Sequence, residues 1–161
     1  MTKPKGNRPK IILAKTAGFC FGVERAVNTV YQQLALNKSI STLGPIIHNP
    51  QVVDQLKKAG VEVVNSVDEV KTDAVVIRSH GVGKAVLKAL EEKGVEVIDA
   101  TCPYVKKIQK TVEDAYNNGM QIVIIGEANH PEVIGINGYC DNTAYVLNSV
   151  QDAENLDITA E

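Results

Sequence analysis

Two cysteines, Cys20 and Cys102, and all three histidines, His48, His80 and His130, stand where a short apolar run ends and a helix-like or turn-like segment begins. The stretches are Ala17-Gly18-Phe19-Cys20-Phe21-Gly22-Val23, Ile46-Ile47-His48-Asn49, Val76-Ile77-Arg78-Ser79-His80-Gly81, Asp99-Ala100-Thr101-Cys102-Pro103 and Asn129-His130-Pro131-Glu132. In a parallel α/β fold the carboxyl ends of the strands gather on one edge, and that edge is where such folds bind ligands. Folded in that way, nearly all the sulfur and imidazole ligands of this chain converge there.

A thiol just ahead of a helix meets unpaired N–H groups and the positive end of the helix dipole. Both stabilise a thiolate, the form that ligates metals or acts as a nucleophile. No Cys-x-x-Cys pair is present, which argues against a zinc ribbon or a dithiol redox motif. Widely spaced thiolates can still meet in space. Iron-sulfur clusters are held by thiolates, and one with only three protein thiolates leaves an iron open to substrate. The remaining thiol, Cys140, lies in Gly138-Tyr139-Cys140-Asp141, which reads as a turn. The plainer reading of all three is as small buried hydrophobes.

Imidazoles together with helix N-termini make a seat for phosphate oxygens. Glu132, two residues beyond His130, can carry a proton to or from such a ligand, or can be an ordinary carboxylate in a first helical turn. The stretch Gly81-Val82-Gly83-Lys84 is neither a Walker loop nor a dinucleotide fingerprint.

The elements that must position these residues are legible from periodicity. β-branched runs at Ile11–Ala14, Ile40–Leu43, Val61–Val64, Ala74–Arg78, Val95–Ile98, Gln121–Ile125 and Ala144–Leu147 predict strands. Between them Val23, Ala26, Val27, Val30 and Leu34 fall at helical spacing, as do Val52, Val53 and Leu56, then Val86, Leu87 and Leu90, then Val105, Ile108, Val112 and Ala115. Alternating strands and helices predict an α/β protein built of βα units with mainly parallel sheets. Gly60, Gly94 and Gly119 read as left-handed helix ends leading into strands. Asn49-Pro50 and Thr101-Cys102-Pro103 read as helix starts, a capping side chain ahead of a proline suited to the first turn. Gln151–Glu161 reads as the opening of another polar helix.

Composition narrows the class further. The 161 residues are 44% hydrophobic, enough for a real core, and carry 17 Lys plus Arg against 19 Asp plus Glu for a net charge of −2. No global basic field points to nucleic acid, so an anionic ligand must be held by a local pocket. No apolar run has the length of a membrane span, and the basic segment Met1–Lys10 lacks the apolar stretch of a secretory signal, so a cytoplasmic location is expected. Three cysteines, an odd count without an export signal, argue for free thiols or ligands over a disulfide framework. The expected organisation is a tail over 1–10, a first α/β domain over 11–101, and a second, incomplete α/β domain over 102–161.

The motifs Gly-Phe-Cys-Phe-Gly-Val-Glu-Arg-Ala, Leu-Gly-Pro-Ile-Ile-His-Asn, Ile-Arg-Ser-His-Gly-Val, Asp-Ala-Thr-Cys-Pro-Tyr-Val-Lys and His-Pro-Glu-Val-Ile-Gly, in that order, jointly resemble the 4-hydroxy-3-methylbut-2-enyl diphosphate reductase family. The resemblance implies a trefoil of three α/β domains around a 4Fe-4S cluster. It implies reductive dehydroxylation of an allylic diphosphate to isopentenyl and dimethylallyl diphosphates, the last step of the non-mevalonate isoprenoid route, with ferredoxin or flavodoxin as electron donor. Carried over, Cys20 and Cys102 look like cluster ligands, His48, His80 and His130 like diphosphate-pocket residues, and Glu132 like the proton-delivering carboxyl. The family's third cluster cysteine and later Ser/Thr/Asn residues fall beyond Glu161, and Cys140 does not match that third-ligand motif. Thr16-Ala17 replace a Pro-Arg common among relatives. The chain therefore reads as the N-terminal half of such a reductase, not expected to turn over alone. The alternatives are a non-catalytic α/β phosphate- or metal-binding module, and a structural fragment that needs a partner chain.

Overall fold

The computed structural model describes residues 10–36 and 38–157, so the tail expected over 1–10 lies almost wholly outside the described residues. Along the chain run α1 (Phe21–Ala35), β1 (Ile40–Leu43), α2 (Pro50–Lys58), β2 (Glu62–Val64), β3 (Ala74–Ile77), α3 (Lys84–Lys93), β4 (Glu96–Asp99), α4 (Pro103–Asn117), β5 (Val123–Ile125), α5 (Pro131–Asn137), β6 (Tyr145–Leu147) and α6 (Val150–Glu154). The fold is α/β, and every strand pair is parallel.

Four strands form one sheet in the order β2-β1-β3-β4. Strand β3 is Ala-Val-Val-Ile and wholly buried, as a central parallel strand covered on both faces must be. Side chains alternate along it. Ala74 and Val76 enter a cluster with Ala26 and Val30 of α1 and Leu56 of α2, whereas Val75 and Ile77 pack with Leu90 of α3. Helices α1 and α2 therefore cover one face and α3 the other, giving three layers. Each fully buried Val, Leu or Ile contributes about 1.5–3 kcal/mol, so this sandwich is the rigid platform for the loops at its edge.

Punctuation follows the sequence expectations at the glycine helix ends and at α2. The capping side chain expected ahead of Pro103 makes no bond: Cys102 is the N-cap of α4, and its thiol accepts from no first-turn N–H. Gly60, Gly94 and Gly119 all adopt positive φ at helix ends. Asn49 caps α2, its Oδ1 accepting from the Val52 N–H at 3.1 Å. The polar segment after Asn148 opens as α6, with a capping box between Ser149 and Asp152.

The strand expected at Ile11–Ala14 does not form among the described residues. Ile11, Ile12 and Leu13 are 92%, 75% and 82% exposed. Strand β1 is already flanked by β2 and β3, and the chain turns at Ala17, whose N–H bonds Ala14 O at 3.2 Å, before entering α1. A β-branched run makes a strand only where a partner strand supplies hydrogen bonds.

Strands β5 and β6 pair in a separate two-stranded parallel sheet, Val123 opposite Tyr145, with α5 as the crossover. Helix α5 docks on the loop after β3 through glycines. A β-carbon on Gly135 would meet His80 O at 3.4 Å, and one on Gly138 would lie 2.6 Å from Gly83 Cα. Backbone therefore touches backbone where the crossover helix of the two-stranded sheet meets the loop after β3.

Candidate functional site

The strand order reverses its winding between β1 and β3. From β1 the chain passes to β2 on one side, and from β3 it passes to β4 on the other. The two loops leave in opposite directions and open a crevice beyond the carboxyl ends of the strands. His48 comes from the loop after β1, His80 from the loop after β3, and His130 from the residue capping α5. Their ring centroids lie 4.6 Å apart for His48–His80, 5.9 Å for His48–His130 and 5.6 Å for His80–His130. A cleft of about 250 Å³ opens beside His48 and His80, lined also by Phe19, Val23, Ile47, Asn49 and Ser79, with His130 outside its lining.

Hydrogen bonds fix the loops. Ser79 N–H donates to Ile46 O at 3.3 Å, and Ser79 O accepts from Cys102 N–H at 2.9 Å. The buried Ser79 thus ties together the loops bearing His48, His80 and Cys102. His130 is held by the start of its own helix, its Nδ1 accepting from the Glu132 N–H at 3.2 Å. Glu132 follows as the second residue of α5.

Burial, the neighbouring His48, the Arg78 guanidinium and His130 together push the His80 pKa down to about 4. His80 is therefore neutral at pH 7, and its buried Nδ1 has no hydrogen-bond partner among the described residues. Arg78 is itself half-buried, and burial lowers its pKa. It lies across Gly44, where a β-carbon would meet Nη1 at 2.6 Å and where φ is +73°. At this pocket, then, one permanent cation stands behind an imidazole held neutral.

Cys20 and Cys102 are the capping residues of α1 and α4, yet neither side chain makes a capping hydrogen bond. Cys20 is exposed and Cys102 half-buried, and both are free thiols. The Cys102 sulfur lies against Gly22, two residues beyond Cys20, where a β-carbon would approach Sγ to 2.6 Å. Arg25, one turn into α1, donates to Thr101 O at 3.0 Å and Asp99 O at 3.3 Å, clamping α1 to the loop that carries Cys102. Burial alone would raise the Asp99 carboxyl, but hydrogen bonds from Lys106 and Thr101 hold it below the ordinary carboxylate range. Cys140, by contrast, is fully buried in the turn after α5, its Sγ 3.3 Å from Asn137 O, the plain packing role.

Gly22, Arg25, Arg78 and Ser79 lie within the sequence motifs, yet their types and spacing alone assign them no task. A basic residue one turn beyond Cys20 was the available signal for Arg25. The glycine contacts had none, because they depend on what packs against them.

The family described as LytB protein matches residues 11–161. A protein from Caldanaerobacter subterraneus subsp. tengcongensis named 4-hydroxy-3-methylbut-2-enyl diphosphate reductase is 52% identical over 152 residues, covering 91% of this chain and 53% of that protein. A protein of the same name from Clostridioides difficile is 42% identical over 149 residues, with the same coverage. Among solved structures, the E-1-hydroxy-2-methyl-but-2-enyl-4-diphosphate reductase from Plasmodium falciparum superposes with a TM-score of 0.85 at 31% identity, over 89% of this chain and 46% of that one. A second, an (E)-4-hydroxy-3-methyl-but-2-enyl diphosphate reductase described as the terminal enzyme of the non-mevalonate pathway, gives 0.76 at 46% identity, over 90% and 53%. The chain spans about half the length of the curated relatives it matches. With the motif order, the parallel α/β fold and the match over residues 11–161 in agreement, the chain belongs to the LytB protein family.

Proposed function

We propose that this chain supplies the diphosphate pocket and two cluster thiolates of a 4-hydroxy-3-methylbut-2-enyl diphosphate reductase, of which it forms the N-terminal half. The observation that carries the reading is the meeting of three imidazoles at the β1/β3 crevice, together with two uncapped thiols at the N-termini of α1 and α4, the Cys102 N–H being bonded to Ser79 O next to His80. The division into one α/β unit up to about Thr101 and a second beyond it belongs to the same proposal.

The residues fit an iron-sulfur group. Two thiols free of capping bonds stand at helix N-termini, and Gly22 clears the space beside the Cys102 sulfur that a β-carbon would fill. Cys20 and Cys102 would hold a 4Fe-4S cluster, with a third thiolate from the other half of the enzyme. The chemistry such a cluster supplies when bound is single-electron reduction and Lewis acidity. The net change breaks one carbon–oxygen bond of the allylic alcohol and forms one carbon–hydrogen bond, using two electrons and two protons and releasing water. The electrons would come from a one-electron protein donor such as ferredoxin or flavodoxin.

The chain's own residues would bind and orient. His48, His80 and His130 would hold the diphosphate oxygens, the unpartnered His80 Nδ1 gaining a partner on binding. Arg78 supplies positive potential without entering an ion pair among the described residues. Glu132 would deliver the proton to carbon from the edge of the pocket.

Titration calorimetry of inorganic diphosphate into the 161-residue chain tests the pocket. Binding is expected, and His48→Ala and His80→Ala should each weaken it by about tenfold, or ~1.4 kcal/mol. Equal binding by wild type and the double variant would remove the pocket. Joining this chain to the second half of the Caldanaerobacter relative tests the chemistry. In that chimera Glu132→Gln should lower kcat by about 10²-fold or more with substrate affinity little changed, and unchanged turnover would remove Glu132 from the reaction.

A further inference from the structure

Three imidazoles whose ligating atoms lie within 4.8 Å of one another could serve two ligands. They could donate N–H groups to an oxyanion, or offer lone pairs to a divalent metal ion. A tetrahedral zinc with bonds of about 2.0–2.1 Å would need nitrogens about 3.3 Å apart, within reach of modest ring rotation. Distance alone does not choose between them. The tautomer of each ring does.

A neutral imidazole has one N–H and one lone pair, and the hydrogen bond made by one nitrogen decides what the other presents. The Glu132 N–H points at His130 Nδ1 from 3.2 Å, so the Nδ1 lone pair is already used and the ring proton must sit on Nε2. Neither nitrogen then has a free pair for a metal. The ring can only donate from Nε2. Extended backbone at His130, with φ −69° and ψ 132°, and Pro131 at the first helical position hold this arrangement at the start of α5.

We infer that the Glu132 backbone N–H locks His130 as an Nε2–H donor, so that the three-histidine pocket selects an oxyanion and rejects a divalent metal ion. Glu132 thereby has a main-chain positioning role separate from its carboxyl. The inference rests on reading the pocket as an oxyanion site and adds the device that makes it selective.

Two variants separate the two parts of Glu132. Glu132→Ala keeps the N–H and removes the carboxyl, whereas Glu132→Pro removes the N–H at a first-turn position where proline is tolerated. Long-range proton–nitrogen NMR of the 161-residue chain reads the tautomer, and cobalt(II) titration reads metal affinity. Wild type and Glu132→Ala should show His130 protonated on Nε2 and bind cobalt weakly. Glu132→Pro should lose that preference and bind cobalt about tenfold or more tightly, the scale on which groups that orient metal-binding histidines act. It should also bind diphosphate less well than Glu132→Ala. A wild-type His130 protonated on Nδ1, or equal cobalt affinity in the two variants, would overturn the lock. Should the proline variant not fold, the wild-type tautomer alone decides. Failure of wild type to bind diphosphate, with the Nε2–H tautomer intact, would instead count against the oxyanion reading itself.

Discussion

Gly83 and Gly138 meet backbone to backbone: a β-carbon on Gly138 would lie 2.6 Å from Gly83 Cα, and one on Gly83 would lie 3.0 Å from Gly138 Cα. Gly83 caps α3, which packs on the four-stranded sheet, and Gly138 ends α5, whose other end carries His130. This contact therefore sets how far His130 stands from His80. Gly138 has φ −64°, a conformation any residue can adopt, so alanine there has a purely steric effect. Gly138→Ala should destabilise the chain by about 1–3 kcal/mol and weaken diphosphate binding several-fold, although the substitution lies outside the pocket. Urea denaturation and calorimetry would check both, and unchanged values in both would show that neither the fold nor the pocket depends on this contact.

Gly22 poses the same question at the thiols. Alanine ordinarily favours a helix over glycine by about 1 kcal/mol. Here its β-carbon would sit 2.6 Å from Cys102 Sγ, so the clash should outweigh the propensity. In the chimera, Gly22→Ala should lower iron affinity about tenfold, and Arg25→Met should do so more mildly by releasing α1 from Thr101 and Asp99. Iron and sulfide counted after anaerobic reconstitution give the answer, with Cys140→Ser expected to match the parent. A Gly22→Ala protein that loads a full complement would separate Cys102 from the cluster.

The start of α2 joins stability to the pocket, since Asn49 both caps the helix and follows His48. Removing the Oδ1 that accepts from Val52 N–H should cost about 1 kcal/mol in Asn49→Ala, with Asn49→Asp retaining most of it. A shift of the denaturation midpoint for alanine but not aspartate is the expected pattern. Equal loss in both would point to the amide N–H₂ instead.

His80 gives the stability of the fold a pH dependence of known sign. Its folded pKa of about 4 lies below the ordinary 6.5, so between those values the unfolded chain binds more protons than the folded one. The contribution is fully present above about pH 6.5 and is lost as pH falls towards 4. Asp73 and Asp152, held low chiefly by hydrogen bonds from Ser39 and from Asn148 respectively, act only below their ordinary 3.8, a separable window. Denaturation at pH 7, 6, 5 and 4.5 should show falling stability that flattens in His80→Gln. NMR titration of His80 near 6.5 would remove the effect.

Most of the scaffold was readable in the sequence because it rests on local physics. Apolar periodicity marked six of the seven expected strands and the helices α1 to α4, and Asn49-Pro50 with Gly60, Gly94 and Gly119 marked where helices begin and end. The candidate site residues were legible as types that follow apolar runs. His48 and His80 follow β1 and β3, Cys102 follows β4 and His130 the loop after β5. The run before Cys20 forms no strand among the described residues, so Cys20 stands at a helix start without a βα junction. Tertiary structure decided what those types do together. The sheet order placed the crevice between His48 and His80, a long-range pairing that no single segment encodes. Ile11–Ala14 has strand propensity but no partner among the described strands, and so stays unpaired. Gly22, Gly83 and Gly138 matter only for the atoms brought against them from elsewhere in the chain. The His130 proton is set by one N–H of the helix start that His130 caps, a matter of three-dimensional geometry that residue identity alone leaves open.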